Sequence, residues 1–347
     1  MMQTLVPLLQ EESMPGRRAV KLPEPSVPET ALPGDLLREP PKLPELDELS
    51  VVRHFTRLSH LNFSIDGQFY PLGSCTMKYN PKMNEEAASY GGFRRTHPLA
   101  PESLSQGSLA LIYELQAALQ EITGFKAISL QPAAGAHGEL TGVLVIRAWH
   151  ASRGESNRTR ILIPDSAHGT NPASCTMAGL VAETIPSDAS GGVDLEALRA
   201  ACSGDNARTV AGLMITNPST LGLFERNIKE IISIVHRAGG LVYGDGANMN
   251  ALVCIVKPAD LGFDVMHLNL HKTFSTPHGG GGPGAGAVGV SAELAEFLPG
   301  PVAAKTSEGY SFRMPSRSIG RVKAFYGNFA VLVRAYAYIR RLGADGL

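Results

Sequence analysis

The sequence of 347 residues has little of three things: cysteine, net charge and long hydrophobic runs. Its four cysteines lie far apart without a CxxC pair, which favours reduced thiols over a disulfide framework or a zinc site and predicts a cytoplasmic protein. These cysteines are Cys75, Cys175, Cys202 and Cys254. A formal net charge of −1 excludes bulk charge as a source of affinity for nucleic acid or an anionic membrane.

Membrane and secretion signals are also missing. No apolar run reaches the ~18 residues that a membrane helix needs. The N-terminus, MMQTLVPLLQEE, has no basic segment before its short apolar stretch, which argues against a secretory signal. We therefore expect neither a nucleic-acid nor a membrane partner.

Several common catalytic motifs are absent from the sequence or incomplete in it. There is no GxxxxGK[ST] for a nucleotide phosphate and no GxSxG for a serine hydrolase. Residues 284–289 match GxGxxG, but the second half reads as a strand rather than a helix start, which argues against a dinucleotide site. His267 and His271 are four apart without the Glu of HExxH, so we predict no metal site.

Hydrophobic periodicity predicts an α/β fold with a mostly parallel sheet. Helical spacing covers residues 104–123, 138–154 and 225–239, and Gly124 is placed to end the first of these helices. Nearly continuous apolar runs, typical of strands buried on both faces, lie at residues 160–164, 210–216, 240–245, 264–270 and 286–291. In such sheets ligands bind beyond the carboxyl ends of the strands, so we searched the residues that follow each run.

Polar residues follow four of these runs and predict one glycine-lined cleft. They are Asp165, Ser166 and His168, then Asn217, Ser219 and Thr220, then Asp245 and Asn248, and finally His271 and Lys272. Lys272 comes directly after an apolar run and before a run of glycines. Burial there disfavours the charged amine and favours a Schiff-base nucleophile, whereas a snorkelling surface lysine is the alternative.

Asp245 and the loop at residues 131–140 complete this hypothesis. Asp245 ends a predicted strand 27 positions before Lys272, where a carboxylate could pair with the ring nitrogen of pyridoxal phosphate, although an ordinary turn residue is the alternative. Ala134, Gly135 and Ala136 open a predicted helix, whose free amides suit a phosphate. His137 is placed to stack on the pyridine ring, with a packing role as the alternative.

Five longer motifs resemble those of one family, the glycine decarboxylase P-proteins, and more narrowly subunit 2 of the two-subunit form. They are LGSCTMKYNPK (72–82), DSAHGTNPAS (165–174), TNPSTLGLFE (216–225), GDGANMNAL (244–252) and HLNLHKTFSTPHGGGGPG (267–284). The resemblance implies a fold-type I pyridoxal-phosphate domain of the aspartate aminotransferase class. It implies Lys272 as the Schiff-base lysine and Asp245 as the partner of the pyridinium, His137 on the ring, and Gly135 and Ala136 at the phosphate. His168, with a catalytic role, and Thr220 then line the cofactor.

The same resemblance implies a reaction and partners. Glycine loses carbon dioxide, and the aminomethyl group passes to the lipoyl group of H-protein, in a hetero-oligomer with P-protein subunit 1. Cys75, Met77, Lys78 and Asn80 are placed to face a subunit interface or to form a structural turn. Two alternatives stay open: another pyridoxal-phosphate lyase or decarboxylase, and an inactive assembly subunit, because family members generally continue into a smaller C-terminal domain.

The sequence divides into three predicted segments. Residues 1–50 are rich in proline and charge, which predicts an extended N-terminal arm or a disordered segment. Residues 51–300 are predicted to form the large pyridoxal-phosphate-binding α/β domain. Residues 301–347 are predicted to form a linker helix and the start of a C-terminal domain that is largely missing.

Overall fold

The computed structural model describes residues 5–69, 78–277 and 284–347. The chain divides into two compact units, Met1–Leu72 and Gly73–Leu347. The predicted segment boundaries at residues 50 and 300 stay predictions. Within the described part of the chain, no helix is long and apolar enough to cross a membrane.

Within residues 5–69, the N-terminal unit contains one α-helix, a three-residue 3-10 helix at Gly34–Leu36 and a proline-rich segment without regular structure. Helix α1 spans Glu48–His60 and begins after Asp47, whose carboxylate accepts a hydrogen bond from the Ser50 backbone N–H at 2.9 Å. Residues 18–33 form no helix or strand, as their proline content predicts. Glu45 connects the two ends of this segment, because its carboxylate accepts a hydrogen bond from the Gly16 backbone N–H at 2.6 Å.

The large unit is built on a seven-stranded sheet. Its strands are β1 (Ala127–Ser129), β2 (Arg160–Pro164), β3 (Val181–Ile185), β4 (Val210–Ile215), β5 (Leu241–Gly246), β6 (Val265–Leu268) and β7 (Ala287–Val290). The strand order is β1-β7-β6-β5-β4-β2-β3, and β7 runs antiparallel to both of its neighbours while the other pairs are parallel. A separate hairpin joins β8 (Val302–Thr306) to β9 (Gly309–Arg313). The α/β, mostly parallel prediction is confirmed.

Helices cover the sheet and connect its strands. They are α2 (Lys82–Ser89), α3 (Gly91–Arg94), α4 (Glu102–Thr123), α5 (Gly135–Ser152), α6 (Thr170–Met177), α7 (Leu195–Ala201), α8 (Gly204–Ala207), α9 (Ile228–Arg237), α10 (Pro258–Leu261), α11 (Leu270–Thr273) and α12 (Phe329–Gly346). The predicted helix at 104–123 is confirmed as α4, and Gly124 follows it with a φ of +80°, a conformation that glycine adopts readily.

Alternating strand residues supply two cores, one on each face of the sheet. In β2, Leu162 belongs to one hydrophobic cluster, whereas Ile161 and Ile163 belong to the other. Both faces are therefore buried, which explains the continuous apolar runs in the sequence. Helix α4 packs into the first cluster, with Leu111 and Leu115 buried as its periodicity predicts.

One predicted strand is shorter than expected, and this changes the setting of Lys272. The run at residues 264–270 reads as a single strand, but β6 ends at Leu268 and the one-turn helix α11 begins at Leu270. Lys272 therefore lies on a helical turn rather than directly after a strand. Periodicity could not separate the two, because a buried helical turn is as apolar as a buried strand.

Candidate active site at the carboxyl ends of the strands

The loops that follow β2, β4, β5 and β6 surround one cavity of about 490 Å³ together with the start of α5. Most of the predicted site residues line this cavity: Lys272, His168, Asp245, Ala134, Gly135, Ala136, His271, Ser219, Thr220 and Asn248. His137, Asp165, Ser166 and Asn217 do not line it. Their individual roles stay predictions. The cavity lies where parallel strands end, which is the ordinary ligand position in this kind of sheet.

Lys272 and Asp245 line the same cavity from neighbouring segments. Asp245 lies near the end of β5 directly beside His267 of β6 in the sheet register, and Lys272 follows four residues after the end of β6. Lys272 is half-buried, and its backbone N–H donates to the Asn269 carbonyl oxygen at 2.9 Å, which holds the turn. The lysine and the carboxylate that the sequence singled out thus come together.

Asp245 is a buried carboxylate that stays ionised. Burial raises its pKa, but the combined effects of His267, of the Asn171 amide, of the Ala247 backbone N–H and of Lys272 are larger, so the pKa lies below its usual value. Asn171 Nδ2 donates to Oδ2 at 3.1 Å and Ala247 N to Oδ1 at 3.0 Å, while His267 Nε2 lies 3.4 Å from Oδ1. Such a group can face a cationic ring nitrogen without losing its charge.

The first turn of α5 has the features of an anion cradle. Among the described residues, no side chain caps this 18-residue helix, so the amides of its first turn are available to a ligand. The loop also needs its glycines: a Cβ on Gly135 would lie 2.8 Å from the Asn269 side chain, and one on Gly286 would lie 2.0 Å from the Ala134 carbonyl oxygen. A phosphate group therefore fits at this end of the cavity.

The two candidate histidines differ in placement. His137 does not line the cavity; its Nδ1 accepts from the Ala133 backbone N–H at 3.2 Å, and burial lowers its pKa. A helical side chain leans towards the N-terminus of its helix, which brings this imidazole back onto its own loop. His168 does line the cavity, with its Nδ1 2.8 Å from the Thr170 hydroxyl. His168 and His271 thus line the cavity, whereas the stacking role of His137 stays a prediction.

Loop contacts hold several other predicted residues. The Thr220 hydroxyl donates to the Ser166 carbonyl oxygen, which joins the loops after β4 and β2. His271 Nδ1 accepts from the Ala285 backbone N–H at 3.1 Å, and the Lys78 ammonium donates to the His271 carbonyl oxygen. The predictions for Cys75, Met77 and the glycines at 279–282 lie outside the described residues.

Sequence reasoning missed a buried polar group behind the cavity. Glu139 is only 4% exposed, and its carboxylate accepts hydrogen bonds from Thr170, Asn171 and Ser174 of α6. His267 is completely buried, and its Nδ1 lies 2.8 Å from the Tyr243 hydroxyl. The available signal for Glu139 was an acidic residue within the apolar pattern GELTGVLVI, one turn after the phosphate loop.

Solved structures resemble this chain over most of its length. The first is glycine decarboxylase (P-protein) of the glycine cleavage system in inhibitor-bound form, with a TM-score of 0.72 and 22% identity over 91% of this chain and 71% of the other. The second is a sphingosine-1-phosphate lyase from Burkholderia pseudomallei, with a TM-score of 0.62 and 18% identity over 89% of this chain and 72% of the other. These likenesses show the fold, which is the fold-type I architecture of pyridoxal-phosphate enzymes.

Curated relatives are far more similar in sequence. Probable glycine dehydrogenase (decarboxylating) subunit 2 of Listeria monocytogenes serotype 4a is 55% identical across 100% of this chain and 71% of its own length. The protein of the same name in Desulforamulus reducens is 56% identical across 98% of this chain and 71% of its own length. A family described as glycine cleavage system P-protein matches residues 30–315. On these grounds, this chain belongs to the glycine cleavage system P-protein family.

Proposed function

We propose that this chain is a pyridoxal-phosphate-binding glycine dehydrogenase (decarboxylating) subunit, which removes carbon dioxide from glycine and transfers the aminomethyl group to the lipoyl group of H-protein. The observation that carries the proposal is the ionised, buried Asp245 in one cavity with Lys272, in a chain of this family. The names of the relatives support the reaction.

Each cavity residue has a distinct task in this proposal. When bound, pyridoxal phosphate supplies an electron sink for the charge left on the substrate carbon after carbon dioxide departs. Asp245 holds a proton on the ring nitrogen, and Lys272 provides the amine that binds the cofactor covalently. Gly135 and Ala136 bind the phosphate through backbone amides, and the His168 imidazole faces the ring.

We also propose a partner subunit and H-protein as the macromolecular partners. The relatives are named as a subunit 2, which implies a second subunit in those proteins. The N-terminal unit of this chain exposes a series of large apolar side chains suited to a protein surface, including Leu36 (71%), Leu37 (58%) and Leu43 (76%). Cys175, Cys202 and Cys254 are free thiols, which fits the proposed cytoplasmic location.

One experiment separates this function from its alternatives. The purified chain is mixed with pyridoxal phosphate, and its visible absorption band is recorded. Borohydride then reduces the bond between the cofactor and the protein, which removes the band. Mass spectrometry identifies the residue that carries the cofactor. We expect that mass on Lys272, with Lys257→Ala as a control that removes an exposed lysine paired with Glu121. Glycine–bicarbonate exchange is then measured with and without lipoylated H-protein and the partner subunit. An exchange rate that does not depend on H-protein would indicate another lyase. Cofactor bound to Lys272 without any exchange would indicate an inactive assembly subunit.

A further inference from the structure

Glu139 is a buried carboxylate to which the proposed function assigns no task. It lies on α5, one turn after the phosphate loop, and lines the cavity although it is almost wholly buried. Its Oε1 accepts from the Thr170 hydroxyl at 2.8 Å, and its Oε2 accepts from Asn171 Nδ2 at 3.1 Å and from the Ser174 hydroxyl at 3.2 Å. A buried carboxylate with three donors is a fixed acceptor rather than a solvated surface charge.

Two of these donors also contact other residues that line the cavity. Asn171 Nδ2 donates one hydrogen to Glu139 and the other to Asp245 Oδ2, each at 3.1 Å. Thr170 Oγ1 lies 2.8 Å from both Glu139 Oε1 and His168 Nδ1. Glu139 is therefore one bridging residue away from both the ring-nitrogen partner and the cavity imidazole.

The orientation of Asn171 depends on having two acceptors. This side chain is completely buried, and within the described parts of the chain its Oδ1 has no hydrogen-bond partner. An amide in such a site turns its NH₂ group towards whichever acceptors are present, and here those are the carboxylates of Glu139 and Asp245. Glutamine at position 139 would offer one acceptor oxygen in place of two, together with an NH₂ group, and so could no longer accept from Thr170, Asn171 and Ser174 as the carboxylate does.

We infer that Glu139 is a positioning residue of the cofactor site, which holds Asn171 against Asp245 and Thr170 against His168. The inference rests on the proposed cofactor function. In this arrangement Glu139 acts through the two α6 side chains. It also places a second negative charge behind Asp245, since carboxylate and imidazole atoms of Glu139, Asp245 and His267 all lie within 4.8 Å of one another.

A purely structural role for Glu139, joining α5 to α6, predicts a different set of effects. Ser174 provides the matched control, because its hydroxyl donates to the same Glu139 oxygen as Asn171 but contacts neither Asn171 nor Asp245 by hydrogen bond. Loss of helix–helix bonding would lower the melting temperature in both Glu139→Gln and Ser174→Ala and would leave cofactor binding alone. Loss of positioning would change the cofactor in Glu139→Gln only.

The test compares wild type with Glu139→Gln, Asn171→Ala and Ser174→Ala as full-length chains. Pyridoxal phosphate is titrated into each apoprotein, and the dissociation constant, the absorption spectrum of the bound cofactor and the melting temperature are recorded. For Glu139→Gln and Asn171→Ala we expect weakening of about tenfold or more and a changed ratio of visible to near-ultraviolet bands. For Ser174→Ala we expect binding within about twofold of wild type.

The outcomes are decisive in each direction. Wild-type affinity and an unchanged spectrum in both Glu139→Gln and Asn171→Ala would overturn the inference and leave the proposed function intact. Failure of the wild-type chain to bind pyridoxal phosphate at all would refute both. Asn171→Ala keeps the test valid if Glu139→Gln does not fold, because it removes the bridge to Asp245 without altering the buried acid.

Discussion

The N-terminal unit and the large unit of this chain distribute their apolar side chains in opposite ways. Seventeen of the 29 strongly exposed large apolar residues in the described chain lie within residues 5–69. The large unit, several times longer, buries its apolar residues in two clusters on either side of the sheet, and the buried polar residues Glu139, Asp245, Asn269 and His271 line the cavity. The large unit thus has an extensive core of its own, whereas the N-terminal unit leaves a series of large apolar side chains exposed.

The contacts within each unit agree with this contrast. Exposed hydrogen bonds and ion pairs around Glu45 and Asp47 join the ends of the N-terminal segment, including a 2.9 Å pair between Arg17 and Asp47. Such exposed pairs contribute about 0–1 kcal/mol. We propose that the cofactor site belongs to the large unit and the partner surface to the N-terminal unit, and the following experiments test whether the two can be separated.

The largest effect is expected from Lys272→Ala. This change removes the amine that binds the cofactor, so covalent cofactor and glycine–bicarbonate exchange should both disappear. Because the substitution lies in the large unit, binding of the partner subunit, measured by analytical ultracentrifugation, should match wild type. A residual borohydride-sensitive band in this variant would contradict the assignment of Lys272.

Asp245→Ala should have the next largest effect. The ring nitrogen of the bound cofactor would lose its ionic partner, so the exchange rate should fall by about 100-fold or more while cofactor is retained weakly. The rate and the cofactor content are measured on the same preparation. Turnover close to that of wild type would rule out the assigned role of the carboxylate.

Two leucines provide a direct comparison of the units. Leu115 in α4 is completely buried, so Leu115→Ala should lower the free energy of unfolding by about 2–5 kcal/mol. Leu43 is 76% exposed, so Leu43→Ala should change it by less than about 0.5 kcal/mol. Urea denaturation monitored by circular dichroism measures the free energy of unfolding of both variants. Equal decreases would contradict the proposed difference between a packed large unit and an exposed N-terminal unit.

A triple substitution tests the proposed association surface. Replacing Leu36, Leu37 and Leu43 with serine should weaken binding of the partner subunit by about tenfold or more, because the contact loses apolar area, and should leave cofactor loading unchanged. The matched control carries serine at three equally exposed apolar positions of the large unit: Leu104, Met177 and Ile255. If both triple variants bind the partner equally well, the N-terminal surface is not the interface.

The smallest effect is expected from an ion pair far from the cavity. His236 Nε2 lies 2.7 Å from Asp264, and this hydrogen bond raises the pKa of the histidine despite partial burial. Because the pKa of His236 is higher in the folded than in the unfolded state, the ion pair stabilises the folded protein fully at pH values below the unfolded pKa of about 6.5. That stabilisation is lost as the pH rises through the pKa of the folded state.

The imidazole is partly exposed, so screening keeps the contribution of this pair to about 0.5 kcal/mol. His236→Gln should therefore lower the free energy of unfolding at pH 5.5 and have little effect at pH 9, as urea titrations at both values will show. A larger decrease in the free energy of unfolding at pH 9 than at pH 5.5 would contradict the predicted direction of the pH dependence.

Much of the fold and part of the site followed from local patterns. Continuous apolar runs predicted β2, β4, β5 and β7, because strands covered on both faces cannot alternate with polar residues. The helical turn that holds Lys272 was not predictable, since its apolar residues match strand and helix equally well. That His168 lines the cavity while His137 does not also needed the structure, because side-chain direction depends on where each loop turns.

The sequence by itself determined the mostly parallel α/β class, the candidate pair Lys272 and Asp245, and the family, because these depend on short-range patterns and long motifs. Only the tertiary structure decided that Glu139, Asn171 and Asp245 meet, since they come from α5, α6 and β5. Their contact depends on helix packing and strand register, which bring together residues up to 106 positions apart and leave no local trace in the chain.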